Sequence, residues 1–265
     1  MKTTIFLRFG IGGLIAWASL LLLSLILPET QLSWPAVLLT FGILVLIPSA
    51  LLKLDLLPQK TRFPIIIGVL LASLAFLSPS SGMCSMLCLP YLLGLGFILF
   101  LRLRENRVLF SLTNLALLYL LIAGMWLFAE RAGFRPLGFD PLINLLTAIH
   151  FHFAGFLLTG LAALYTRNFP SHSDIYFNLA LLGGAPLVAT GITITHFHGP
   201  FFVESVAACW MALTGIWVAL KIIKTPPHWL GLIGASFLLF GMFLAIYPNE
   251  SGLSFLSFSF YVLLR

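Results

Sequence analysis

Two copies of His-Phe-His, at His150 to His152 and His196 to His198, and one nearby carboxylate, Glu204, stand out in a chain with little other ionisable chemistry. Imidazoles and a carboxylate are the donor set of a borderline transition metal such as Zn, Fe or Cu, and a His pair on facing helices equally suits haem. The sequence therefore nominates His152, His196, His198 and Glu204 as metal ligands and His150 and His152 as cofactor-binding residues. Glu204 doubles as the candidate catalytic group, a ligand or a general base. No H-E-x-x-H, paired C-x-x-C or C-x-x-C-H occurs, so these residues form a cluster without a named motif.

Spacing constrains what each histidine can do. If the helix starts at Pro141, His150 and His152 lie about 13 and 16 Å along it, near the middle of a bilayer, where a polar group needs a partner. Residues two apart on a helix point about 200° from each other, so this pair cannot hold one ion. His152 shares its face with Asn144, Ala148, Gly155, Thr159 and Ala163, a small and partly polar stripe suited to packing on another helix. His150 shares its face with Ile143, Leu146 and Leu157 and needs Thr147 one turn earlier, a cofactor or a second site. At His196 to His198 an extended turn would aim both rings the same way, with Glu204 about 6 Å down the next helix. The plain alternative is that this pair substitutes for an interfacial aromatic belt and that Glu204 favours a helix start.

Other groups form a second tier. Met83, Cys84, Met86 and Cys88 carry the soft sulfur ligands of a possible Cu(I) relay, although thiols and thioethers are also common filler in apolar helices. Asp140, a helix N-cap before Pro141, joins Asn144 and Thr147 as a supporting group for the histidines. Glu130, Arg131, Arg135 and Asp140 read as a short polar loop. Gly183, Gly184, Ala185, Pro186 and Gly191 interrupt an apolar run, as in transporter helices that unwind around a substrate. Pro48 and Pro90 read as kinks, and His172 and His228 as solvated loop residues.

The elements that must hold these groups are transmembrane helices. Of 265 residues, 60% are hydrophobic and 8% charged, more apolar surface than a soluble core can hide. This excludes disordered, coiled-coil and cytosolic classes. Apolar runs fall near 5–27, 31–51, 63–80, 85–101, 108–129, 141–165, 176–195, 200–223 and 227–247, with a shorter tenth at 253–264. An all-α polytopic bundle of nine or ten spans follows, a single integral membrane domain over 1–265. The first run is a span because no small-x-small cleavage site follows it.

Basic residues orient the bundle. With the N-terminus cytoplasmic, Lys2, Arg8, Lys53, Lys60, Arg62, Arg102, Arg104, Arg107, Arg167, Lys221 and Lys224 face inward and only Arg131 and Arg135 face outward. The formal charge of +6 is thereby spent on topology, and nucleic-acid binding is not expected. The partners expected are the lipid bilayer and a lipid-soluble substrate or transported ion. The flanks of the two His-Phe-His copies do not match, so no internal repeat is read.

The stretch AIHFHFAGF within Leu146 to Leu161, followed by GGAPLVATGITIT and Glu204, resembles the bacterial YndJ-like membrane protein family over roughly 140 to 210. That resemblance implies a bacterial cytoplasmic-membrane protein, a set of significant positions at His150, His152, Gly155, Pro186 and Glu204, and a transporter label that some members carry. The His-Phe-His helix is also faintly similar to that of haem-copper oxidases, where two imidazoles serve two haems, but the other oxidase histidines are missing from this chain.

Three functional expectations result. The first is a metal or haem centre doing redox or metal-assisted chemistry on a lipid-soluble substrate. The second is a transporter of an ion or small solute that uses the same His and Glu groups and a broken seventh helix. The third is a structural membrane subunit.

Overall fold

A computed structural model describes residues 2–26, 32–105, 111–170 and 174–223. Among the described residues there is no strand, and each helix satisfies its backbone N–H and C=O groups within its own segment, one of the two solutions open to a chain in lipid. The helices are α1 (Lys2–Ile26), α2 (Trp34–Lys53), α3 (Gln59–Leu74, continued as a 3-10 turn to Leu77), α4 (Gly82–Glu105), α5 (Leu112–Arg131), α6 (Pro141–Asn168), α7 (Asp174–His196) and α8 (Phe202–Ile223). Seven of them are long and apolar enough to cross a membrane, and the third, apolar over Thr61–Leu77, is shorter. The first eight expected runs fall on these eight helices. The ninth and tenth runs, His172 and His228 lie outside the described residues.

Starts and stops follow local chemistry. Ser81 and Ser111 accept hydrogen bonds from the Cys84 and Asn114 N–H groups at 3.3 Å, capping α4 and α5. Proline at the first turn, where its missing N–H costs nothing, opens α2 and α6. Three C-terminal turns close with the same bond pair. The N–H groups of Asp55, Gly133 and His198 reach Leu52, Glu130 and Thr195 carbonyls, and the next N–H in each case reaches five residues back. All three residues sit at φ near +60° (56°, 68° and 63°), the left-handed position that ends a helix.

Two helices widen into π turns, at Gly42–Leu46 in α2 and Phe151–Leu157 in α6. Pro48 gives the first a cause, since it has no N–H for the carbonyl of Leu44 four residues back. The wider turn lets Ile47 bond Gly42 instead. Pro90, by contrast, lies inside an uninterrupted α4.

The chain divides into two compact units, Met1–Leu164 and Tyr165–Arg265. In the first, neighbouring helices pack as antiparallel pairs, α3 on α4, α4 on α5 and α5 on α6. Glycines set the closest approaches. A Cβ on Gly68 would lie 2.8 Å from the backbone of Tyr91, and one on Gly155 would lie 2.9 Å from the Tyr119 side chain. In the second unit, α7 and α8 form a hairpin in which a Cβ on Gly191 would lie 2.8 Å from the Glu204 Cα. Trp210 Nε1–H donates to the Ala180 carbonyl at 3.1 Å.

The seventh helix is not broken. Asp174–His196 runs as one α-helix through Gly183, Gly184, Ala185 and Pro186. Gly184 and Gly191 are there for packing, under Met211 and Glu204 of the partner helix, rather than for unwinding.

Candidate functional site

The π turn of α6 holds a fully buried ionisable group of the first unit. His152 is 0% exposed, as are Tyr91 on α4 and Ala148 one turn before it. His152 Nδ1 lies 2.7 Å from the Ala148 carbonyl and Nε2 lies 3.2 Å from the Tyr91 hydroxyl. A carbonyl only accepts, so Nδ1 carries the hydrogen, and in the neutral imidazole Nε2 accepts from the Tyr91 O–H. The two rings lie nearly parallel, 11° apart with centroids at 6.1 Å. Both ring nitrogens are thus engaged, and a metal at Nε2 would have to take the place of Tyr91.

The surroundings are dry and tight. The whole stripe of Asn144, Ala148, His152, Gly155, Thr159 and Ala163 is buried. Phe151 tilts on Tyr119 at 6.0 Å, while Phe153 reaches the other π turn, where a Cβ on Gly42 would meet its ring at 2.9 Å. The two widened turns therefore touch. Asn144 Nδ2 donates to the Phe134 carbonyl at 2.9 Å and the Thr147 hydroxyl donates to the Ile143 carbonyl at 2.7 Å. His150 is half-buried, edge-on to Phe151 at 5.6 Å.

The second His-Phe-His is a helix end. His196 is the last residue of α7, and exposed His198 takes the left-handed position rather than an extended one. The expectation of two rings aimed alike from an extended turn is corrected accordingly: three carbonyls at the end of α7 need partners, and the turn that supplies them coils the chain. Half-buried Glu204, in the first turn of α8, has the Thr195 hydroxyl beside its carboxyl, close enough to interact but short of hydrogen-bond geometry.

The sulfur residues of α4 divide between two faces. Met83 is 83% exposed and Met86 is exposed, whereas Cys84 and Cys88 are buried and give their thiols to the Pro79 and Cys84 carbonyls at 3.2 and 3.8 Å. Asp140 stands at the N-cap position of α6, exposed and without a side-chain capping bond. Among the described residues, no three His, Cys, Asp or Glu side chains are arranged to hold a metal ion.

Glu130 and Arg131 are not loop residues. They are the last two residues of α5, 7% and 8% exposed, and pair with each other side-on. Arg131 Nε donates to Glu130 Oε2 and Nη2 donates to Oε1 at 2.6 Å, while Nη1 donates to the Ala75 and Ser78 carbonyls at 3.2 Å each. The guanidinium also lies 4.4 Å above the Phe76 ring. Helix-end carbonyls of α3 draw the side chain inward, which a reading by polarity alone could not anticipate.

The YndJ-like protein family matches residues 37–249, most of the chain. The chain belongs to the YndJ-like family. A Bacillus subtilis (strain 168) protein called uncharacterized membrane protein YndJ is 38% identical over 94 residues, a stretch that is 35% of this chain and 16% of that protein. The chain thus spans under a fifth of that relative's length. No solved structure matches it.

With its family name and its apolar helices, this YndJ-like chain is an integral membrane protein, consistent with the bacterial cytoplasmic membrane. Sequence reasoning misses Tyr91, whose only local signal is a hydroxyl in the middle of an apolar helix. It also misses the buried Glu130 and Arg131 pair, for which the signal is adjacency of opposite charges at the end of an apolar run.

Proposed function

We propose that this YndJ-like protein is a transport protein that moves protons, alone or coupled to a small solute, with the Tyr91 and His152 pair as its proton-handling group. The observation that carries this reading is the fully buried hydrogen bond between them, set within a π turn of a membrane-length helix. Ionisable groups at such depth mark ion and proton pathways, and π turns concentrate at functional sites. The pair has directional chemistry: Tyr91 donates to Nε2, and a proton arriving at Nε2 would reverse that bond.

The rival is a transition metal or haem centre on His152, acting on a lipid-soluble substrate, in which Tyr91 gives up its place. Purified full-length protein in liposomes loaded with a pH-sensitive dye separates the two. Under an imposed pH gradient we expect flux above that of empty vesicles, lost in His152→Gln and reduced in Tyr91→Phe. Flux equal to empty vesicles overturns the proposal. A stoichiometric metal, or a Soret band, that disappears in His152→Ala establishes the rival instead.

A further inference from the structure

A groove of about 420 Å³ runs between α1, α2 and α3 of the first unit, and none of the side chains that line it is polar. That volume is within the ~300–1,000 Å³ of small-molecule sites. We propose that the groove holds one acyl chain of an anionic bilayer phospholipid, whose phosphate is met by Arg62. The site is separate from Tyr91 and His152 and does not depend on the transport reading.

Two adjacent glycines of α1 shape the space. A Cβ on Gly13 would collide with the Leu44 carbonyl, so Gly13 lets α1 approach α2, whereas a Cβ on exposed Gly12 would meet nothing within 4 Å. Gly12 therefore leaves the groove open. The other wall is one face of α3, where Ile66, Val69 and Leu70 follow Arg62 by four, seven and eight residues. Leu70, like Gly12, is exposed, so the open side meets the hydrocarbon that surrounds a membrane helix. A trough with no polar side chain to satisfy accepts a hydrocarbon chain and disfavours a polar solute.

Charge at the mouth selects the head. Arg62 is half-buried, and among the described residues its guanidinium makes a single hydrogen bond, from Nε to the Leu57 carbonyl at 3.4 Å, and no ion pair. That bond turns the side chain toward the start of α3, away from the apolar trough. Both Nη groups are left to donate, in the fork that suits a phosphate. From Trp17 to Gly13, α1 runs back along α2 from Val37 to Leu44, so the starts of α1 and α3 meet the ends of α2 and α4. By position, that end carries Lys2, Arg8, Lys60 and Arg62 on the starting helices and Lys53, Arg102 and Arg104 on the finishing ones, against Asp55 and Glu105. Glu105 is paired with Arg102 at 3.8 Å, and the first turn of α3 holds no acidic residue. The sum is positive. A basic rim above a hydrocarbon trough complements a lipid with an anionic head.

The test titrates the purified full-length protein in a neutral detergent with palmitoyl-oleoyl phosphatidylglycerol or palmitoyl-oleoyl phosphatidylcholine and counts retained lipid by native mass spectrometry. Phosphatidylglycerol should bind at least about tenfold more tightly, the scale of one charge-assisted hydrogen bond. Gly12→Leu fills the groove from α1 and Leu70→Trp fills it from α3, so either variant that folds should lose the lipid. Gly10→Leu, whose Cβ also meets nothing within 4 Å but lies outside the lining, should keep it. Arg62→Gln should retain a lipid of either kind and lose most of the preference. Glycerophosphoglycerol, the head without its chains, should not compete. Equal binding of the two phospholipids, a lipid retained in a folded groove variant, a preference untouched by Arg62→Gln, or competition by equimolar glycerophosphoglycerol overturns the proposal.

Discussion

Tyr91 with His152, and Glu130 with Arg131, lie more than nine-tenths inside the first unit, and in each pair the partners bond one another and give their other side-chain hydrogen bonds to backbone carbonyls. In the second unit His196 and Glu204 are half-buried and His198 is exposed, although the local sequence, His-Phe-His, is the same as at His150. What separates the two is the backbone. In α6 the motif lies on a continuing helix that must bury one face, so one imidazole is committed to partners. At the end of α7 it falls on a turn closed by backbone bonds, which leaves His196 half-buried and His198 exposed.

The contrast is broken most directly at Arg131. Replacing Arg131 with Met strands the Glu130 carboxylate inside the first unit and should cost about 3–5 kcal/mol of unfolding free energy in detergent. Replacing both, with Glu130→Leu added, should recover most of it. Glu204→Gln, by comparison, should stay within about 0.5 kcal/mol. An equal cost for Glu204→Gln would erase the distinction between the units.

Glycine tests the packing side of the same contrast. Gly68→Ala forces a methyl against the backbone of Tyr91 and should destabilise by about 1–3 kcal/mol. Gly183→Ala meets nothing within 4 Å and should be neutral or stabilising by up to ~1 kcal/mol, through helix propensity alone. Thermal unfolding of the two variants side by side reads the difference.

A modest gain is expected at the helix end. His198 occupies with a Cβ the left-handed position that Gly133 fills without one. His198→Gly should therefore stabilise by about 1 kcal/mol. A loss of stability would mean that the imidazole has a role that its exposed place in the turn does not suggest.

Much of this architecture is legible because lipid makes hydropathy a direct readout of span. The expected run at 108–129 differs from α5 by a few residues at each end, and that at 141–165 starts with α6 and stops three residues before its end. What hydropathy cannot reveal is phase and partner. Nothing in FHFAGFL distinguishes a π turn from an α turn, because the apolar residues surround the helix on all sides. Tyr91 is hidden for the same reason. Polarity alone marks Glu130 and Arg131 as solvated, whereas together they neutralise one another and find helix-end carbonyls. The metal-ligand reading finds no support at His198, where a backbone turn rather than ligand geometry sets the direction of the ring.

The two widened turns carry a mechanical consequence. Each stores one surplus residue, and expelling it would swing everything beyond by about 100° around the helix axis. With Phe153 of one seated on Gly42 of the other, neither can release its slack while its neighbour stays still. Any rotation that carries His152 away from Tyr91 would have to be a paired movement, geared through that contact.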